Sequence, residues 1–242
     1  MDKDLEFLKD VNEEFLGIFV DIMLKKGDLT EMLTVSDEYK RYGKDYKKYV
    51  ERIAEEYQSF GTNSFFNLVG SYNSYKEILC DVADKMKVNF NSEQSVELIE
   101  QKMLDKVLVD AYENMTPEEK QNLKDIANSA KGKFGSIDIG AEASLFLVNV
   151  FRAGGFASYK ITLIIINAVA KAILGRGLSL AANATLARAM SIFAGPIGLA
   201  ITALWTLIDI AGPAYRVTIP CTIIIAAMRK ERNMRQYQDF DI

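Results

Sequence analysis

The sequence predicts an all-α protein, an N-terminal amphipathic helical bundle followed by an apolar Gly/Ala-rich helical domain that ends in a helical hairpin. Three observations carry that expectation. Apolar residues recur at intervals of three and four along most of the chain and almost nowhere alternate. Helix start and stop signals punctuate it at short spacing. The composition also steps near residue 138 from acidic and mixed to apolar and small-residue-rich.

Residues 2–24 place Leu5, Leu8, Val11, Phe15, Ile18, Phe19 and Ile22 at helical intervals, as two short helices broken near Asn12. Lys25-Lys26-Gly27 supplies the stop, and Asp28 to Glu31 reads as a capping-box start. Tyrosines at 39, 42, 46, 49 and 57 mark residues 36–60 as an amphipathic helix whose aromatic stems pack while the hydroxyls stay near the rim. Gly61 and Gly70 frame a turn rich in amides and hydroxyls, in which Asn63, Ser64 and Asn67 are candidates for capping helices or for holding a small polar ligand. Helices are expected over 74–87, over 94–113 after an Asn91-Ser-Glu-Gln94 start, and over 117–129 after Thr116-Pro117.

Residues 130–140 hold three glycines and form the expected domain boundary, giving an acidic domain 1–137 and an apolar, weakly basic domain 138–242. Beyond it, apolar helices are expected over 141–152, 156–174, 178–193, 197–211 and 217–235, with breaks at Gly154-Gly155, Gly175 and Gly177, Gly195-Pro196 and Gly212-Pro213. Residues 189–208 are twenty in a row without a charge, about the length of a bilayer-spanning helix. Pro196 should restart the helix inside that run and leave too short a rod to cross. Arg152, Lys160, Lys171, Arg176, Arg188, Asp209 and Arg216 fall near helix ends, where basic groups can sit at headgroup depth.

Composition excludes several kinds of chemistry. The chain has 242 residues and no histidine, which removes Ser-His-Asp and Cys-His catalysis and His-ligated zinc. Cys80 and Cys221 are far apart, without metal-ligand spacing, and read as buried free thiols of a reducing compartment. No cofactor or metal is expected. Residues 1–137 carry 19 Lys and Arg against 27 Asp and Glu, and 138–242 carry 10 against 6. The acidic half argues against nucleic acid, and the basic half suits anionic lipid or an acidic partner.

The block 191–235 organises these expectations. Ile197, Leu199, Ile201, Leu204, Trp205, Ile208, Ile223, Ile224 and Ile225 are its candidate membrane or partner contacts. Asp209, Gly212, Pro213, Tyr215, Arg216 and Pro220 form a structural hinge, with an Asp209–Arg216 pair clasping it. Phe60-Gly61 with Asn63-Ser64, the segment Tyr75-Lys-Glu-Ile-Leu-Cys-Asp-Val82 and above all Tyr215-Arg-Val-Thr-Ile-Pro220 resemble the YaaW-type family of bacterial proteins, some of which are labelled ubiquinol-cytochrome c chaperones. The resemblance spans nearly the whole chain. It implies a bacterial, all-helical protein that can associate with membranes, and it brings no catalytic residues to carry over.

Three functions are in play. The first is a non-enzymatic cytoplasmic protein held peripherally at the inner membrane by its C-terminal helices, with membrane perturbation or pore formation as a homo-oligomer its extreme form. The second is a soluble adaptor or assembly chaperone whose C-terminal helices form its core and a groove for a partner protein. The third is an enzyme built around Asn63, Ser64, Tyr75 and Asp81, a set that assembles no catalytic constellation.

Overall fold

A computed structural model of the chain describes residues 1–27, 32–61, 73–121, 143–179, 195–203 and 214–238. All regular structure among the described residues is helical. Asn63, Ser64, Asn67, Leu204, Trp205, Ile208, Asp209, Gly212 and Pro213 lie outside them, as do the 28–31 start and the 130–140 boundary.

The first segment is a 3-10 helix, η1 (Lys3–Asp10), started by Asp2, whose carboxylate accepts from the Asp4 amide at 2.8 Å. Asn12 then caps α1 (Glu13–Lys26) by accepting from the Glu14 amide, and Gly27 closes it with an N–H bond to the Met23 carbonyl. The break expected near Asn12 is therefore this cap.

The single helix expected over 36–60 is instead three pieces: α2 (Asp37–Tyr42), a 3-10 turn η2 (Tyr46–Tyr49) and α3 (Val50–Phe60). Gly43 causes the break. Its φ of +55° is a left-handed conformation that glycine adopts freely, and its N–H ends α2 on the Tyr39 carbonyl. Gly61 ends α3 where a Cβ would lie 2.6 Å from Cδ1 of Ile78, so the close approach to the next helix needs glycine.

That helix, α4 (Tyr75–Lys85), begins at a full capping box between Ser74 and Glu77. The following helix, α5 (Val96–Glu113), starts at Ser95 rather than at Asn91, because residues 91–94 close a turn of their own through Asn91 and Gln94. Thr116 and Glu119 cap each other at the start of a helical stretch over 117–121.

In the second half, α6 (Ala143–Arg152) turns through Gly154 into α7 (Gly155–Leu174), which ends at Gly175. A further helical stretch covers 195–203, and α8 (Tyr215–Gln238) completes the fold. Of the residues expected to form the hinge, Tyr215 and Arg216 are the first two of the last helix rather than lying before it, and Pro220 lies inside it.

The core is one cluster to which both halves contribute, and α8 runs through it, packed on α7, α1, α5, α4, α3 and η1. From residue 217 to 228 every side chain of α8 is buried, the pattern of a helix apolar on all sides. The run 161–170 of α7 is likewise buried at all ten positions. Burial of a large aliphatic side chain contributes about 1.5–3 kcal/mol, so these two helices anchor the fold. The apolar surplus expected to face a bilayer is, in these helices, the interior. No helix among the described residues is long and apolar enough to cross a membrane.

Tyr57 departs from the tyrosine pattern expected for its segment, since its hydroxyl lies inside, 2.7 Å from Oγ1 of Thr222. Thr222 already donates its own proton to the Thr218 carbonyl at 2.6 Å. A hydroxyl carries one proton, so Tyr57 is the donor in the pair.

Candidate functional site

Four arginines of the second half already have carboxylate partners within the molecule. Arg152 pairs with Asp105, Arg176 with Asp21, Arg229 with Glu100 and Arg232 with Asp10, each carboxylate coming from the first half. The charge asymmetry legible in the sequence is thus largely spent between the two halves. Two of these pairs frame the candidate site.

The site is a cleft of about 520 Å³. One wall is a single face of α5, with Glu97, Glu100, Gln101 and Leu104 at i, i+3, i+4 and i+7. The opposite wall is a face of α8, with Ala226, Arg229, Lys230, Asn233 and Met234. The α6–α7 turn, residues 152–155, closes one side. Helical period dictates both faces. α8 changes character at residue 229, so the same helix that fills the core supplies polar groups to the cleft.

At its base lies a buried ion pair. Arg229 donates from Nε to Oε2 of Glu100 at 2.7 Å and from Nη2 to the Asp4 carbonyl at 2.5 Å. The Tyr75 hydroxyl donates to Oε1 of Glu100 at 2.6 Å, and the guanidinium stacks 4.0 Å from the ring centre of Phe7. Arg229 is 8% and Glu100 3% exposed. Burial pushes the Glu100 carboxyl above its usual range, against the pull of Arg229 and the Tyr75 hydroxyl. Burial pushes the Tyr75 phenol up, and the Glu100 charge adds to it. The pair fastens α8 to α5, α4 and η1 at one point. Leaving either charge unpaired there is expected to cost about 3–5 kcal/mol.

Toward the mouth the network is looser. Gln101 accepts from the Lys230 ammonium at 2.9 Å and donates to Oδ1 of Asp105 at 2.8 Å, while Arg152 binds Oδ2 of Asp105 through Nε and Nη2. Lys230 also stands 4.7 Å from the ring centre of Phe151. Burial pulls its pKa down, Asp105 raises it, and Arg152 lowers it further. Among the described residues no group of three or more Cys, Asp and Glu side chains is placed to hold a metal.

The candidates chosen from sequence fall elsewhere. Ile197, Ile201, Ile223, Ile224 and Ile225 are core residues, so a bilayer or partner can meet the last three only if α8 leaves its seat. Leu199 is 57% exposed. Tyr215 lies under the Lys85 ammonium, 5.0 Å from its ring centre. Tyr75 and Asp81 do not converge, since the Tyr75 side chain is buried against Glu100 and Asp81 is at the surface. The cleft itself was not identified from sequence. Its signal is a carboxylate at position 100, on the stripe Glu100, Leu104, Leu108 and Ala111 that is otherwise apolar and buried.

A helical core closed by its last helix, with one polar cleft beside it, is the setting for the family comparison. The sequence profile of the ubiquinol-cytochrome c chaperone family matches residues 45–224, and the chain belongs to that family. Its relatives include a UPF0174 protein of Helicobacter pylori strain J99, 49% identical over 94% of this chain and 91% of the relative. A second UPF0174 protein from that strain is 41% identical over 84% of this chain and 98% of its own length. The UPF0174 protein YaaW of Escherichia coli K12 is 28% identical over 95% of this chain and 94% of its own. No solved structure matches the chain.

Proposed function

We propose that the protein is a non-enzymatic assembly chaperone or adaptor that holds a partner polypeptide in the α5–α8 cleft. The observation that carries this reading is the cleft, a cavity of about 520 Å³ whose two long walls come from opposite halves of one rigidly latched core. That volume lies within the ~300–1,000 Å³ of sites that enclose ligand groups. Membership of a family named for a chaperone of ubiquinol-cytochrome c supports the same reading. The burial of 217–228 and 161–170 favours a core-plus-groove role for the second half over a lipid-facing one.

The test is site-specific photocrosslinking in the native bacterium, from Asn233 in the cleft wall and from the exposed Met32 as a control. The expected result is a discrete protein adduct from position 233, absent from position 32, whose protein accumulates less or assembles poorly when the gene is deleted. Equal labelling from both positions, or an adduct whose level and assembly ignore the deletion, overturns the reading.

A further inference from the structure

We propose that the Lys230–Arg152 end of the cleft is a recognition site for a carboxylate on the partner polypeptide, borne singly between apolar residues. This rests on the chaperone or adaptor reading and names the chemistry the cleft selects.

Lys230 is the first ground. An ammonium has three donors, and among the described residues one of them makes a hydrogen bond, to the neutral oxygen of Gln101. Among the described residues no carboxylate lies within ion-pair distance of it. Asp105, close enough to raise its pKa, has both oxygens engaged by Gln101 and Arg152. A half-buried cation without an anion is held at a cost that an incoming carboxylate relieves.

Arg152 is the second. It grips Asp105 by Nε and Nη2, leaving Nη1 without a partner among the described residues, on a side chain that is 54% exposed. Two cations with spare donors at one end of a cavity suit the two oxygens of one carboxylate.

The other lining groups shape the specificity. Gly154 and Gly155 adopt φ of +77° and +68°, and a Cβ on either would meet nothing within 4 Å, so the turn that closes this side does so without crowding the space beside it. Leu104, Ala226 and Met234 give the cleft an apolar wall, which favours a carboxylate carried on a chain over a free small anion. The charge of Glu100 is taken up by Arg229 and Tyr75. Glu97 remains exposed on the lining and repels a second negative charge, so one acid is preferred to an acidic run.

The experiment uses the full chain and a fluorescein-labelled pentapeptide with a central Glu between leucines, its Gln counterpart, and glutarate as a free dicarboxylate competitor. Fluorescence anisotropy is expected to show the Glu peptide binding at least ten-fold tighter than the Gln peptide. Lys230→Met should erase that preference and Lys230→Arg should keep it, while thermal melts show Lys230→Met folded with a Tm equal to or above the parent. Equal affinity for the two peptides, or a preference that survives Lys230→Met, overturns the carboxylate site. Glutarate competing at the affinity of the Glu peptide overturns the polypeptide as its source. The two proposals fail separately. A cleft adduct that forms undiminished in Lys230→Met cells defeats the carboxylate site and leaves the chaperone reading standing. Selective binding of the Glu peptide with no cleft adduct does the reverse.

Discussion

The two ends of α8 are held in place by different physics. Over 217–228 the helix is buried on every side, fastened by area and shape and by one buried hydroxyl pair. From Arg229 onward it is fastened by charged and polar groups, through Glu100, Gln101 and Asp10 of the first half. Apolar burial is non-directional and sets only how deep the helix sits. The ion pairs have fixed geometry, and they turn one polar face toward α5. The contrast explains how a helix that is almost wholly core can also supply one wall of a cleft.

The largest effect expected comes from cutting the charged end at its base. Arg229→Met leaves the buried Glu100 carboxyl without its main partner, at a cost whether it stays charged or takes up a proton, and should lower stability by about 3–5 kcal/mol in urea unfolding followed by circular dichroism. Adding Glu100→Leu should return part of that loss, because the stranded carboxyl is then gone while the Tyr75 hydroxyl still lacks its acceptor. A double variant no better than Arg229→Met would mean that the guanidinium acts by packing on Phe7 rather than by pairing.

The apolar end has a smaller weak point. Thr222→Val keeps the shape of the side chain but removes the acceptor of the buried Tyr57 hydroxyl. The loss should be about 1–3 kcal/mol, the cost of one buried unsatisfied donor. Tyr57→Phe combined with Thr222→Val should lose less than Thr222→Val alone, and the opposite order would show that the pair is not a hydrogen bond of consequence.

These two ends were not equally legible in the sequence. Helical period and capping residues disclose the class, the starts at Asn12, Ser74 and Thr116, and the apolar character of α7 and α8, because all of these are local. Whether apolar helices face lipid or one another is not local. The isoleucines at 223–225 have the composition of either, and only the helices of both halves packed around them decide it. The cleft was harder still. Glu100 and Arg229 are 129 residues apart, and neither is unusual in its own neighbourhood except that Glu100 falls on a buried stripe. Gly43 was a missed local signal, a glycine in the left-handed region that cuts one expected helix into pieces.

The charged end also contains a group that pairing serves poorly, and it gives the finest test of the contrast. Glu231 is buried, with Oε1 bound by Arg235 at 2.7 Å and Oε2 without a hydrogen-bond partner. Burial raises its pKa above the ordinary 4.5, and Arg235 only partly opposes this. A carboxyl raised in the folded state takes up protons more readily there than in the unfolded chain. Its contribution is fully present below about pH 4.5 and is lost as pH climbs through the raised folded value. Glu231→Met removes that loss and should stabilise the protein by about 1 kcal/mol at neutral pH, the low end for replacing a buried charge with an apolar group of similar volume. The gain should vanish on acidification, where the parent carboxyl is already neutral. Melting curves of variant and parent from pH 4 to 7 read this directly. A gain independent of pH would assign the effect to packing, and a loss at neutral pH would show that Arg235 pairs with Glu231 strongly enough to place it with the latching pairs.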